Sequence, residues 1–361
     1  MKKVWAIIGG GNGGQAMAGH LASMGEEVRL YDVVPATVDA LNAKGGVQLK
    51  HAVEAFGKLQ FATTDMAEAM EGANNIIVVL PSLYHESIAE KMIPNLKDGM
   101  VVFFHPEASC GALAFRKKMK DMGCKADVVV GAACTLLYSA RITEPGVVYI
   151  FGVKEEVSAA ALPASDNEKL QNALHPQMHW FKMIQNVLAT SLDNINAMLH
   201  PAPMLLNTSR IEADPFVPFQ YYHEGFTPSI GKFVETMDLE RIAIAKAYGI
   251  EQRTIAHEFN DMYPYTEPDT PLYRQCNLNP GYEGIMCGNT LRTRYVLEDI
   301  PYSLVALRAL AQVAGVETPC MDAIITLGNV ILSDVMEEGR TKEALGIDSM
   351  TKEELIKYVN G

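Results

Sequence analysis

Val4-Trp5-Ala6-Ile7-Ile8-Gly9-Gly10-Gly11-Asn12-Gly13-Gly14 lies near the start of this 361-residue sequence, and its reading decides the fold. Five apolar residues run into a cluster of glycines. Ala16, Met17, Leu21, Ala22 and Met24 then recur at helical spacing up to Gly25, and residues 28–31 read as a second strand closed by Asp32. Strand, glycine loop, helix, strand and acid follow in the order that a dinucleotide site needs. Gly9 suits the tight turn, Gly11 lets the backbone approach a pyrophosphate, and Gly14 lets helix and strand pack closely. The N–H groups at the helix start, from Asn12 and Gly13 onward, then face the phosphates with the helix dipole behind them.

Asp32 stands 18 residues after Gly14, where a carboxylate accepts hydrogen bonds from the adenosine ribose hydroxyls. A 2′-phosphate would be repelled there, and no Lys or Arg follows before Lys44. Arg29 is nearer but lies mid-strand. NAD is therefore favoured over NADP. The alternative role for Asp32 is to cap a helix beginning near Pro35.

The length allows two domains, each with its own core. With 48% hydrophobic and 20% charged residues the composition is that of a globular protein, and a net charge of −13 argues against nucleic acid or an anionic membrane as partner. No apolar run is long enough to span a bilayer, and the first residues begin a strand rather than a signal peptide. Six cysteines without a CxxC pair fit a reducing cytoplasm, with buried thiols as their default role. His105, His175, His179, His223 and His257 share no metal-ligand spacing, so no metal is expected.

Apolar runs alternate with amphipathic segments as far as about residue 184. The run 76–80 has the continuous apolar character of a buried parallel strand. Pro81 ends it at the carboxyl edge of the sheet, where open α/β sheets place their ligands. Strands at 101–104, 127–131, 147–152 and 178–183, with helices at 34–43, 84–96, 112–122 and 166–174, predict one doubly wound, Rossmann-type sheet. From about residue 186 the pattern turns helical, at 186–199, 229–248, 302–314 and 321–336, with proline-rich loops at 214–218 and 263–271, the latter within a surface loop over 263–273 rich in Tyr, Pro and acids. The expected organisation is a dinucleotide-binding domain over 1–185 and an all-α domain over 186–361. A cleft between them is the default place for a second substrate.

A nicotinamide enzyme needs a proton donor and a substrate anchor from its protein. His200 fits the first need: it ends an amphipathic helix in Asn196-Ala197-Met198-Leu199-His200-Pro201-Ala202-Pro203, and Pro201 breaks that helix just after it. Capping or packing is the plainer role of a single histidine. Arg292-Thr293-Arg294-Tyr295-Val296-Leu297-Glu298-Asp299-Ile300-Pro301 offers complementary groups. Arg294 suits a bidentate grip on a carboxylate, and Asp299 or Glu298 suits the orientation of a histidine. From spacing alone, capping by Asp299 ahead of Pro301 and a solvated arginine pair explain the same residues.

Together these residues resemble the octopine/nopaline (opine) dehydrogenase family. The resemblance rests on Ile8 to Gly14, on Leu199-His200-Pro201-Ala202-Pro203 followed by Asn207, and on Arg294 with Glu298-Asp299-Ile300-Pro301. Leu136-Leu137-Tyr138-Ser139-Ala140-Arg141 and Gly315-Val316-Glu317-Thr318-Pro319 extend it nearly end to end. It implies a cytoplasmic, NADH-dependent oxidoreductase that reductively condenses an amino acid with a 2-oxo acid. It implies His200 as acid/base, Asp299 as its carboxylate partner and Arg294 as a substrate anchor, with Asn207, Tyr138 and Arg141 as further substrate contacts. A homodimer is compatible with it; the sequence fixes neither the substrates nor the oligomeric state. One departure stands out. Where the family has a glycine-rich turn after the strand at 101–104, this chain has His105-Pro106-Glu107-Ala108-Ser109-Cys110-Gly111, which bears on the nicotinamide surroundings and on the substrate. The rival readings are a 2-hydroxy acid, ketopantoate or glycerol-phosphate type dehydrogenase, and a non-catalytic dinucleotide-binding sensor. The first is disfavoured because such relatives depend on a lysine where this chain offers His200.

Overall fold

Val4–Ile8, the apolar run before the glycines, forms the buried strand β1 inside a mainly parallel sheet. The computed structural model describes residues 3–262, 266–267 and 270–361, with the side chains of 261 and 262 set aside. Part of the loop expected over 263–273 therefore lies outside the described residues. The chain divides into two compact units, Met1–Ser191 with Lys357–Gly361, and Leu192–Ile356.

In the first unit the strands are β1, β2 (Glu27–Tyr31), β3 (Gly46–His51), β4 (Ala55–Lys58), β5 (Phe61–Thr63), β6 (Asn75–Val78), β7 (Val101–Phe104), β8 (Val129–Ala133), β9 (Tyr138–Glu144), β10 (Val147–Val153), β11 (Val157–Leu162) and β12 (Phe181–Met183). Eight of them form one sheet in the order β12-β11-β8-β7-β6-β1-β2-β5. All neighbours are parallel except β11, which runs antiparallel to β8 and carries β12 beside it. Strand order reverses direction at β1: β2 and β5 lie on one side, and β6, β7 and β8 on the other. The loops after β1 and β6 thus flank the topological switch point, where such sheets bind ligands.

The expectation that residues 147–152 extend this sheet is corrected. β10 belongs to a second sheet of order β4-β3-β10-β9, parallel to β3 and antiparallel to β9. The physical sign is in its burial: Val148 and Ile150 are covered, whereas Phe151 is 57% exposed, so one face is open. A central strand of a doubly wound sheet is covered on both faces. The small sheet instead lies against the Asn12–Ser23 helix. Gly19 on the helix and Gly57 on β4 meet backbone to backbone, and a Cβ on Gly57 would overlap the Gly19 carbonyl.

The second unit is helical, as expected. Its spine is the Pro228–Ala247 helix, which starts on Thr227, whose Oγ1 accepts from the Ile230 N–H at 3.4 Å. Ile230, Val234, Met237 and Ile244 form its buried stripe. Arg241 on the same helix is fully buried, and its guanidinium donates to Asp238 Oδ1 at 2.7 Å, the Leu192 carbonyl at 2.8 Å and the Arg253 carbonyl at 2.7 Å. Loss of either charge from such a pair costs about 3–5 kcal/mol. The single helix expected over 186–199 is interrupted: it is Val187–Leu192 and then Asn196–Leu199. Between them stand Asp193 and Asn194, short polar residues of the kind that compete with helical hydrogen bonds.

Candidate active site

The glycine loop after β1 has the geometry the sequence asks of it. Gly9 takes φ +113° and its N–H donates to the Tyr31 carbonyl at 2.8 Å, which joins the turn to β2. A Cβ on Gly14 would overlap the Gly9 carbonyl, so only glycine lets the helix start this close to the strand. A Cβ on Gly11, by contrast, would meet nothing within 4 Å. Gly11 is the residue before the Asn12–Ser23 helix and brings no side chain to cap it, so the first-turn N–H groups stay available to an anion. Gly13 lies against Val79 and Leu136. Pro81, half-buried, leads from the β6 edge into a short turn at Ser82–Tyr84. Asn12 is spent differently: its Oδ1 accepts from the Ile142 N–H at 2.8 Å and ties the helix start to β9.

Asp32 does two things. Its Oδ2 accepts from the Gly10 N–H at 2.5 Å, and its Oδ1 accepts from the Val34 N–H at 2.8 Å, ahead of the Pro35–Lys44 helix. A carboxylate has about four lone-pair sites, so both contacts leave room for ribose hydroxyls. Asp32→Ala should therefore do more than relax the choice between NADH and NADPH. Losing the brace on Gly10, a hydrogen bond to a charged group worth about 1.5–3 kcal/mol, should weaken both cofactors, NADH more. Fluorescence titration with each cofactor checks this; an unchanged NADH Kd with an unchanged preference would contradict it.

The His105–Gly111 segment is inward-facing. His105 is fully buried, and its Nε2 accepts from the Leu137 N–H at 2.7 Å. Burial, aided by the Lys154 charge, pushes it down to about 3, so it is neutral. Glu107 is equally buried: its Oε1 accepts from the Thr190 and Ser191 hydroxyls at 2.7 and 3.1 Å, and its Oε2 from the Ala112 N–H at 3.1 Å. Ser109 Oγ donates to the Ser191 carbonyl at 3.0 Å, and the Cys110 N–H to Ser191 Oγ at 2.8 Å. The departure from a glycine-rich turn is thus a brace between this loop and the Val187–Leu192 helix.

In the second unit, His200 sits between two short helices, Asn196–Leu199 and Pro201–Leu206, with Pro201 as the first residue of the second. Its Nδ1 meets Asp299 Oδ2 at 2.8 Å across 99 residues of sequence, with His200 7% and Asp299 5% exposed. Asp299 precedes the Ile300–Leu304 turn but makes no side-chain cap there. The capping alternative for it falls, and the histidine is its partner. Toward an ionised carboxylate Nδ1 donates, and in a neutral ring Nε2 is then the acceptor. The Tyr222 hydroxyl occupies that position at 3.1 Å. The Tyr295 ring stacks on the imidazole at 3.8 Å between centroids and 11° between planes. Tyr221 holds the backbone, donating to the His200 carbonyl at 2.7 Å. Burial pushes the phenols of Tyr221 and Tyr222 well above their ordinary range, and raises Tyr295 less far. None of these tyrosines was legible beforehand; Tyr221-Tyr222 and Tyr295 carry no spacing signal.

Arg294 begins the short Arg294–Leu297 helix one turn before Asp299; its side chain is 55% exposed and pairs with Glu298 at 3.3 Å. Arg292 pairs with Asp334 at 2.6 Å. Asn207 is a buried bracket: its Nδ2 donates to the Pro203 carbonyl at 2.8 Å and the Gly225 carbonyl at 3.0 Å, joining the Pro201–Leu206 helix to the turn bearing Tyr222. Tyr138, expected as a substrate contact, has a partner within its own unit. It is 4% exposed in the core of the first unit, with its hydroxyl on His20 Nδ1 at 2.8 Å. Arg141, three residues on, is exposed on β9 opposite Tyr149, next to the residue that Asn12 holds. Both belong to the first unit, whereas His200, Arg294 and Asp299 belong to the second. Among the described residues no group of His, Cys, Asp and Glu has the arrangement of a metal site, and no helix is long and apolar enough to cross a membrane.

Residues 183–332 match the family model described as NAD/NADP octopine/nopaline dehydrogenase, alpha-helical domain, and residues 4–105 match that of the NAD-dependent glycerol-3-phosphate dehydrogenase N-terminus. The chain is 34% identical to an opine dehydrogenase of Arthrobacter sp. (strain 1C), over 97% of this chain and 96% of that one. It is 26% identical to a vitopine synthase of Allorhizobium ampelinum along the full length of both. A solved structure of octopine dehydrogenase with NADH and L-arginine superimposes with a TM-score of 0.83 at 21% identity, covering 100% of this chain and 98% of that one.

Proposed function

Given that this chain belongs to the octopine/nopaline (opine) dehydrogenase family, we propose that His200 is its general acid/base, Asp299 the carboxylate that orients it, and Arg294 the anchor of a substrate carboxylate. The protein is an NAD-dependent oxidoreductase, and its reaction is the NADH-dependent reductive condensation of an amino acid with a 2-oxo acid. In this reading residues 1–185 bind the dinucleotide and residues 186–361 supply substrate binding and catalysis.

The observation that carries the assignment is the His200–Asp299 contact of 2.8 Å, made within the buried helical unit by residues far apart in sequence. For the cofactor, the open space at Gly11 and the brace from Asp32 to Gly10 fit a pyrophosphate and ribose. Gly9, Gly11, Gly13, Gly14 and Asp32 would hold it, with Asn12 and Pro81 shaping the loop edges. When bound, NADH supplies the hydride that reduces the carbon–nitrogen double bond formed from amine and carbonyl. The protein's part is the proton. As the amine nitrogen adds to the carbonyl carbon, Nε2 of the protonated His200 ring passes its proton to the carbonyl oxygen, takes a second proton from the nitrogen of the adduct and delivers it to the new hydroxyl, which leaves as water. Asp299, facing Nδ1, keeps the imidazole oriented and stabilises its charged form. Arg294 fixes the oxo acid by its carboxylate.

Arg294→Lys should impair turnover although the charge is kept, because the planar fork is lost. The cost, about 1.5–3 kcal/mol for a charged hydrogen bond, should fall mainly on the KM of one carboxylate substrate. Unchanged kinetics with both substrates would return Arg294 to its surface pairing with Glu298. The amino acid and oxo acid are identified by crossing a panel of amino acids with pyruvate, 2-oxoglutarate and other 2-oxo acids and following NADH absorbance. No consumption of NADH with any pair would reject the assignment and favour a sensor. A cytoplasmic location goes with this reading, supported by six cysteines of which none forms a disulfide among the described residues. We take a homodimer as the assembly to test, by light scattering.

A further inference from the structure

We propose that Tyr222 is a positioning residue that holds His200 as a neutral base until the amino acid arrives, an inference that rests on the acid/base assignment of His200. The polarity of the contacts is what points to this. With Nδ1–H directed at the Asp299 carboxylate at 2.8 Å, a neutral ring accepts at Nε2 from the Tyr222 O–H at 3.1 Å. The phenol keeps its proton because burial pushes it well above its ordinary range. A carbonyl oxygen would need the opposite polarity at Nε2. An ammonium group offers the same polarity as the hydroxyl, an N–H donor toward a nitrogen lone pair. The hydroxyl thus marks the place of the amino acid's ammonium, and the first proton moves from substrate to His200.

That transfer balances simply. One N–H bond of the ammonium breaks, its electron pair stays on nitrogen as the nucleophile, and the proton forms the Nε2–H bond of the imidazolium. Tyr222 gives up Nε2 and retains its own proton. Tyr222 lies nearly parallel to Tyr282 at 3.9 Å and 16°, and to Phe226 at 5.6 Å and 23°, faces along which its ring slides to release Nε2. Tyr295 lies flat on the imidazole, a face on which a cationic ring is favoured once the proton has arrived.

The groups facing the imidazole are Asp299, Tyr222, Tyr295 and, through the backbone, Tyr221. Charges on the adjoining helices have other partners: the Asn279 carbonyl for His223, Arg210 for Glu224, Glu298 for Arg294, Arg241 and the Ile255 N–H for Asp238, the Cys320 and Met321 N–H groups for Glu240, and Arg308 for Asp322.

The test is nitrogen NMR of histidine-labelled enzyme without substrate, with the His200 signals assigned by their loss in His200→Ala. In the wild type the neutral ring should be the Nδ1–H tautomer with Nε2 displaced from the position of a free pyridine-type nitrogen. In Tyr222→Phe, which keeps the stacked ring, Nε2 should move to the free position and the imidazolium should persist to higher pH, by roughly 0.5–1 unit for a hydrogen bond of ordinary worth. An Nε2–H tautomer or a free Nε2 in the wild type overturns the proposal whether or not Tyr222→Phe folds, as does an unmoved signal in a folded Tyr222→Phe. Full turnover by His200→Ala would instead remove the acid/base assignment while leaving the Tyr222 contact as measured, so the two failures are told apart.

Discussion

His200→Ala should lower turnover by about 10²–10⁴-fold, the usual worth of a positioned general acid/base, while NADH still binds. The separation of effects follows from the two units: the glycine loop and Asp32 belong to one, and His200 and Asp299 to the other. Asp299→Asn should also slow turnover, because an amide at 2.8 Å from Nδ1 no longer favours the imidazolium, and the activity profile should move to lower pH. The double variant should be scarcely worse than His200→Ala alone, since residues that act as one unit are not additive. Steady-state kinetics on the four proteins decide it. Multiplying effects would mean that the two side chains act separately, and a fall in Tm without a fall in kcat would make Asp299 a purely structural partner.

Gly14→Ala should abolish tight NADH binding and also lower the melting temperature. Its methyl group has nowhere to go but into the Gly9 carbonyl, so loop and helix must part. Overpacking of this kind costs about 1–3 kcal/mol in stability, and a misplacement on the order of 1 Å at a binding site costs roughly 10²-fold. Gly11→Ala supplies the contrast. Its methyl group meets no protein atom within 4 Å, so the fold should be untouched while the space for the pyrophosphate is lost. Calorimetry and NADH titration on the pair should therefore show two losses for position 14 and one for position 11. Wild-type NADH affinity in Gly11→Ala would mean that the phosphates do not pass over that residue.

Much of the first unit was legible because its signals are local. Glycines whose missing side chains permit a turn, and apolar runs covered on both faces, depend on their immediate neighbours, and β1, β2, β6 and β7 sit where the sequence implies. The small sheet was not legible, because β3, β4 and β9 carry one covered and one open face on short, polar-rich strands whose pairing is decided by distant partners. The helical unit shows the same limit more sharply. His200 and Asp299 were nameable as residue types suited to the chemistry, yet spacing alone favoured a cap for Asp299. Only the fold brings the carboxylate to Nδ1. Tyr222 and Tyr295 had no signal at all, since a buried tyrosine pattern reads as core. Tyr138 came from the resemblance alone, and its hydroxyl meets His20, a contact that no spacing announces.

The meeting of Gly19 with Gly57 ties the helix behind the glycine loop to a strand of the other sheet. The helix that begins at Asn12 is fixed at its front by the turn at Gly9 and along its back by β4, and neither surface has slack. Drift at position 57 would therefore be read out at the glycine loop, half a helix away, as a change in how the phosphates are met. The small sheet, a side layer by topology, acts as a gauge block for the dinucleotide site. Within a lineage, position 57 would stay without a side chain for the same reason as position 14, a carbonyl in the way of any Cβ, although no motif search would group them together.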